Sequence, residues 1–427
     1  MVDVPARVRE LALTLDAADT LPAYAYDLTA LDRHTAAIRA AIPASVEFYY
    51  AVKANPDAGV LRTVARHADG LEVSSGGEVA HAAQAVPGHP LAFGGPGKTS
   101  AELAQAIAAG VGRFHVESPH ELRLLGAAAR RAGRPVDVLL RLNPAPPSPD
   151  APPSPIAPPS PDAPLSPDAP LSPSNRAGAA PASAGAALVM GGRPSPFGMD
   201  PALLGQCGPV LAELGGLVRL RGLHAHTASG LDADDLVTVA ARLLSFGRDW
   251  CTRHGVVAPE FNLGGGMAVD YRQPDSCFDW DRYGQGLAAL ARPGETLRIE
   301  PGRAVTAYCG WYLTRVLDVK HSHGEAFAVI AGGTHQLRTP AAKGHNQPFA
   351  VIPVPRWLPD WPRPGIGPGM VTVCGQLCTP KDILARQARV QQLRAGDLIV
   401  FGLAGAYAWN ISHQSFLMHP PPAFHYL

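Results

Sequence analysis

"VEFYYAVKANPD" (46–57) decides the fold. The apolar, β-prone run 46–52 is too short for a helix and ends in an Asn-Pro turn, so it reads as a buried strand. Lys53 stands at its end, one step before a small residue. A lysine stem can pass apolar surface with its charge left in water. Its amine can also be placed there for chemistry.

Seven similar runs follow: "GLEV" (70–73), "LAFGG" (91–95), "RFHV" (113–116), "DVLLRLN" (137–143), "LRGLHAH" (220–226), "EFNLGGG" (260–266) and "LRIEPG" (297–302). Between them lie stretches with apolar residues three and four apart, such as "SAELAQAIAAG" and "SPHELRLLGAAARRAG". Several open on Ser or Asp and close on Gly, and "SPHE" carries a capping-box spacing. Eight strands alternating with helices predict an α/β fold, a (β/α)8 barrel over 32–302. Beyond it the helical patterns thin out. "AVTAYCGWYLTRVLDVK", "PFAVIPV", "MVTVCGQLC" and "DLIVFG" predict a C-terminal β-barrel or sandwich over 303–427, to which "PAYAYDL" of the segment 1–31 adds a strand.

Residues 145–174 break the alternation with five proline-rich hexads, "APPSPD" to "APLSPS". Proline fixes φ and removes donors, so an exposed polyproline-like or disordered insert is expected there.

Balanced charge, 36 basic against 36 acidic residues, favours neither nucleic acid nor an anionic membrane surface. No apolar stretch nears the roughly 20 residues of a membrane span. With no secretory signal visible and six cysteines scattered without metal-like spacing, a reduced, cytoplasmic protein is expected.

In such a barrel, chemistry sits at the C-terminal ends of the strands. Lys53 ends the first. Ser75 and Glu78 follow the second, His226 and Ser229 the sixth, Gly264, Gly265 and Gly266 the seventh, and Glu300 and Arg303 the eighth. Glycines let backbone N–H groups converge on an anion, although a plain turn explains them too. A carboxylate at a strand end needs a cation, and Arg303 offers Glu300 a simple ion pair. Taken together, a lysine, an anion cup, a carboxylate and a ring-stacking histidine fit pyridoxal 5'-phosphate: Lys53 as Schiff base, Glu300 at the pyridine nitrogen, His226 on the ring face.

"YAVKAN", "VSSGGE", "RLNP", "SPFGMD", "GLHAHTASG", "NLGGGMAVDY", "IEPGR", "GQLCTPKD" and "GAYAWNIS" occur in that order along nearly the whole chain outside the insert. In them the chain resembles the fold-type III pyridoxal-phosphate decarboxylases of ornithine, diaminopimelate and arginine. The resemblance implies a head-to-tail homodimer with two shared active sites. It also implies phosphate contacts from Ser229, Gly264–Gly266 and Tyr407, and places Arg303 near phosphate and substrate. Cys378 becomes the thiol that reaches in from the other subunit and protonates Cα after CO₂ loss; a thiol titrates close enough to neutrality to donate.

The chain departs from that family where an acid usually follows the cysteine to grip a distal amine. Here it is Thr379, while Asp382 retains the second acid. Loss of that charge argues against ornithine, lysine and diaminopimelate. "CTPKDIL", "VMGGRPSPFGMD" and "ISHQSFLMHPPPAFHYL" resemble instead the branch encoded beside siderophore synthetases, which implies a citryl-linked diamino acid. An anionic tail calls for cations. Arg338 in "GGTHQLRTP" stands where a carboxylate-binding arginine is expected, with His335 and His345 as weaker candidates and a solvated surface Arg338 as the plain explanation. The alternatives are a diaminopimelate decarboxylase of lysine biosynthesis and a non-catalytic pyridoxal-phosphate-binding regulator, although a regulator is expected to have lost the lysine, cysteine or glycines.

Overall fold

The computed structural model describes residues 2–144, 188–189 and 194–427; the proline-rich hexads lie outside the described residues. Eight parallel strands close a barrel in the order Glu260–Asn262, Thr296–Ile299, Val46–Ala51, Gly70–Val73, Leu91–Phe93, Arg113–Val116, Val136–Arg141 and Val218–His224. The first and last strands in sequence close it, with Val46 paired to Leu297. The alternation of short apolar runs with helical periods predicts this barrel, and the strands form where the runs stand.

Local capping fixes where the helices begin. Ser75 accepts from the Glu78 N–H, Ser118 from Glu121 and Asp232 from Asp235. The reciprocal capping box forms at Thr99 and Glu102. At "SPHE" only half of it forms, because the Glu121 carboxylate is drawn away to Lys98 Nζ at 2.6 Å and the Glu117 N–H at 2.9 Å. Lys98 is buried, and a buried ammonium without an acid would cost more than an unfilled cap.

The second unit is a curled eight-stranded sheet around the long strand Gly310–Ser322, which pairs with Leu398–Phe401 and Glu325–Ile330. Ala23–Tyr26 joins its end antiparallel, and Ala423–Tyr426 lies parallel beside Ala23–Tyr26. Both chain ends are thereby gathered near Gly310, where the sheet meets the barrel's eighth strand end. Among the described residues no helix is long and apolar enough to cross a membrane.

Candidate active site

The segment "GAYAWN" of the sheet domain clamps the turn that carries Lys53. Tyr407 N–H donates to the Ala54 carbonyl at 2.7 Å, Asn410 Nδ2 to the Lys53 carbonyl at 2.7 Å, and Asn55 Nδ2 to the Gly405 carbonyl at 2.9 Å. Tyr407 adopts a left-handed φ of 49°, a strained position for a non-glycine residue that these contacts hold in place. The Lys53 side chain is 44% exposed at the mouth, and its ammonium pairs with Glu72, which is buried. Burial works to lower the Lys53 pKa, but Glu72, Tyr407 and Glu300 outweigh it and raise it.

Glu300 does not pair with Arg303. Its Oε1 accepts from Asn262 Nδ2 at 2.6 Å, while His224 Nε2 stands 3.5 Å from Oε2 and His115 Nδ1 3.8 Å from Oε1. Asn262 is oriented by the Gly264 N–H, which donates to its Oδ1 at 2.9 Å. Asn262 Nδ2 therefore also faces His115 Nε2, at 3.3 Å, as a donor, which leaves the His115 proton on Nδ1 toward Glu300. The two imidazoles stack with centroids 4.2 Å apart, and burial drives both pKa values well down, so they stay neutral. His115, His224 and Glu300 are also spaced as metal ligands would be, but the Asn262 bond already engages the carboxylate.

His226 accepts from the Gly265 N–H at Nδ1, at 3.2 Å, which puts its proton on Nε2. Burial, with Lys53 and Arg141 adding, holds its pKa down at about 3. A neutral imidazole is what a stacking role requires. The three glycines are dictated by backbone as much as by any ligand. A Cβ on Gly264 would come 2.7 Å from the Ala225 carbonyl oxygen, one on Gly265 2.4 Å from that of Glu300, and one on Gly266 2.4 Å from that of Ala228. Gly266 also accepts from Gly230 and Leu231, which ties its loop to the Ser229 turn. Arg303 Nη1 donates to Tyr271 Oη at 2.6 Å and its guanidinium lies 4.5 Å from the Tyr407 ring centre. The structure thus brings Lys53, His226, Ser229, Gly264–Gly266, Glu300, Arg303 and Tyr407 to one rim. Ser75 caps a helix beside it, and Glu78 accepts from the Ser74 N–H at 2.7 Å.

The remaining candidates lie in the sheet domain. Cys378 is exposed and Thr379 half-buried on one loop. Asp382, expected against the substrate, instead is 2% exposed; its oxygens accept from the Thr334 and Leu377 N–H groups at 2.7 and 2.8 Å. A carboxylate so engaged orders the loop that presents Cys378. Arg338 is exposed, with Nη1 2.8 Å from His413 Nδ1. His335 is buried, with neither ring nitrogen partnered among the described residues, its centroid 5.1 Å from that of His419. Glu72, His115, His224, Asn262 and Asn410 escaped the sequence reading. The available signal was a charged or amide side chain inside a run otherwise apolar, as in "GLEV", "RFHV" and "EFN".

A lysine-bearing barrel closed by a curled sheet is the architecture of solved amino-acid decarboxylases. The Helicobacter pylori diaminopimelate decarboxylase, solved with L-lysine, superposes with a TM-score of 0.77 at 22% identity, covering 95% of this chain and 91% of that one. Residues 23–405 match the family model described as "Pyridoxal-dependent decarboxylase, C-terminal sheet domain", and the chain belongs to that family. Among curated relatives, the Staphylococcus aureus 2-[(L-alanin-3-ylcarbamoyl)methyl]-2-hydroxybutanedioate decarboxylase is 35% identical, covering 95% of this chain and 93% of its own. The L-glutamyl-[BtrI acyl-carrier protein] decarboxylase of Niallia circulans is 29% identical, covering 94% and 87%.

Proposed function

We propose that this chain binds pyridoxal 5'-phosphate and decarboxylates an amino acid carrying a distal hydroxy-dicarboxylate, a citryl-linked diamino acid of the kind for which the Staphylococcus relative is named. The observation that carries the reading is the convergence on one rim of the Lys53 amine, the buried Glu300 carboxylate, the neutral His226 ring and an Arg303 with no acidic partner among the described residues. These residues fit the cofactor. Lys53 supplies the amine that holds it, Glu300 the partner for its ring nitrogen, and His226 the face. Ser229, Gly264–Gly266, Arg303 and Tyr407 are suited to its phosphate. When bound, it supplies an electron sink for the pair left at Cα as CO₂ departs.

The protein's own part is orientation and proton handling. Glu72 holds the Lys53 proton in the resting state. Asn262 fixes the Glu300 carboxylate by its bond to Oε1, with the neutral His115 and His224 rings beside it, so that Glu300 faces the base whose proton it would hold. Cys378, presented from a second copy of the chain, delivers the proton to Cα. Thr379 beside it leaves out a charge that a distal amine would want. This makes the active unit a homodimer with two shared sites, in a reducing compartment such as the cytoplasm, where all six cysteines remain free thiols.

The test is CO₂ release by the loaded enzyme from 2,3-diaminopropionate amide-linked to citrate, set against free ornithine, lysine and diaminopimelate. A kcat/KM at least about tenfold higher for the linked substrate is expected, since several charge-assisted contacts are at stake. Faster turnover of diaminopimelate overturns the proposal.

A further inference from the structure

The short helix Thr339–Lys343 is tied to the mouth at its first residue, where the Thr339 hydroxyl donates to the Tyr407 carbonyl. Its last residue is Lys343. Gly344 follows with φ at 68° and turns the chain so that His345 stacks on Tyr271, ring centroids 4.0 Å apart. The Tyr271 hydroxyl in turn accepts from Arg303. Arg303 and His345 thus meet at one tyrosine, and Lys343 stands two positions before His345.

Their chemistry is complementary to something the chain does not supply. Among the described residues neither Lys343 nor Arg303 has an acidic partner. Burial first, and then the nearby Arg303, push the Lys343 ammonium down to about 8. His345 Nδ1 lies 2.9 Å from the Asn346 carbonyl oxygen and so carries the proton. That leaves Nε2 as an acceptor, buried and without a partner among the described residues. Burial keeps the ring neutral, with its pKa at about 4 despite the bond to Asn346, and Lys343 and Arg303 add to the depression. Two cations beside one buried acceptor match a carboxylate beside a hydroxyl.

We propose that Lys343 and His345, on the Tyr271 side of Arg303, form the receptor for the distal hydroxycarboxylate of the substrate, with Lys343 taking a carboxylate, Arg303 shared between that carboxylate and the phosphate, and His345 Nε2 accepting from the hydroxyl. This rests on the substrate class proposed above. It adds Lys343, absent from the sequence reading, and gives His345 a part distinct from that of a cation.

The experiment compares three substrates on the loaded dimer: diaminopropionate linked to citrate, the same amide lacking the tail hydroxyl, and free diaminopropionate. Lys343→Met should lower kcat/KM for the citryl substrate by about 10- to 100-fold relative to free diaminopropionate, the worth of one charged hydrogen bond, and Lys343→Arg should recover most of it. His345→Phe should erase most of the preference for the hydroxyl-bearing tail over the tail without it. An unchanged citryl-to-free ratio in Lys343→Met overturns the inference alone; a wild type without preference for the citryl substrate overturns both proposals. Pyridoxal phosphate titrated into the apoprotein and followed by absorbance gives a second arm. If Lys343→Met weakens that binding in proportion to its loss of kcat/KM, the cations serve the cofactor phosphate and the inference falls.

Discussion

At the barrel floor Glu260 sits among Arg113, Arg221 and Arg298, with Arg113 bidentate at 2.7 and 2.6 Å, whereas at the mouth neither Arg303 nor Lys343 has an acidic partner among the described residues. Asp137 extends the floor network to Arg219 and Arg113, and Glu47 extends it to Arg298. The mouth holds neutral histidines and a lysine whose acid is buried while its own amine is exposed. One end of the same strands is electrostatically closed and the other is left open. A closed end serves stability; an open end has charge to spend on a ligand.

The largest effect tests whether the mouth is complete within one chain. Lys53→Ala and Cys378→Ala homodimers should each lose about 10²–10⁴-fold in turnover, the usual worth of a positioned proton donor or more. Lys53→Ala should also lose the visible absorbance of the loaded protein. Mixing the two unfolded and refolded variants should restore about a quarter of wild-type activity, because half the dimers are mixed and each has one intact site. No recovery on mixing means the site is built within one chain, and the open mouth is not completed by a second copy.

Next comes the floor. Glu260→Gln leaves three arginines around an uncharged amide, and losing one member of a buried ion network costs about 3–5 kcal/mol. Denaturant unfolding should show that loss, with kcat of the folded enzyme changed by less than about threefold. Glu72→Gln at the mouth should show the reverse, a small loss of stability and a large loss of turnover, because Lys53 remains partly hydrated. Equal destabilisation by both substitutions breaks the distinction between the ends.

Acid separates the two ends again. His115, His224 and His226 are neutral in the fold with pKa values well below the usual 6.5, so the unfolded chain takes up protons that the folded one refuses. Stability should therefore fall as pH drops below about 6.5, by up to about 4 kcal/mol per pH unit for three such groups. The floor acts lower. Burial works to raise the Glu260 pKa, but Arg113 and Arg298 carry it below its usual 4.5, so its contribution is lost only beneath that value. A melting temperature flat between pH 6.5 and 5 removes the histidines from the account. His115→Gln should lessen the slope by up to about 1.4 kcal/mol per pH unit, the share of one such group.

Much of this was legible in the sequence for a simple reason. Barrel strands are short, apolar and ended by turns, and residues at their C-terminal ends share a rim whatever the details, so Lys53, His226, Glu300 and Arg303 could be placed on that rim from their positions at strand ends. Residues inside strands carried no such mark. Asn262 and His115 become partners of Glu300 only when strands distant in sequence close the barrel. The clamp of Asn410 on Lys53 spans 357 positions and has no local signal. Asp382 was legible as an acid near Cys378, but an acid in a loop has two uses, and the backbone N–H groups of Thr334 and Leu377 claim this one.

The smallest effect concerns Thr379, half-buried beside the exposed Cys378. If a second copy carries this loop to the mouth, Thr379→Asp adds an acid to a site whose unpaired charges are cationic. The new carboxylate would compete with an anionic tail for Lys343 and Arg303 and would attract a free distal amine. Partial exposure moderates both, so a shift of about tenfold in the ratio of kcat/KM values, away from the citryl-linked substrate and toward ornithine, is expected. Stability should hardly change, because the loop is ordered by Asp382 and not by the Thr379 side chain, whose hydroxyl accepts only a long 3.3 Å bond from the Lys381 N–H. A ratio that stays put while the protein remains folded places Thr379 away from the tail. The charge imbalance of the mouth would then be read by Lys343, Arg303 and His345 alone.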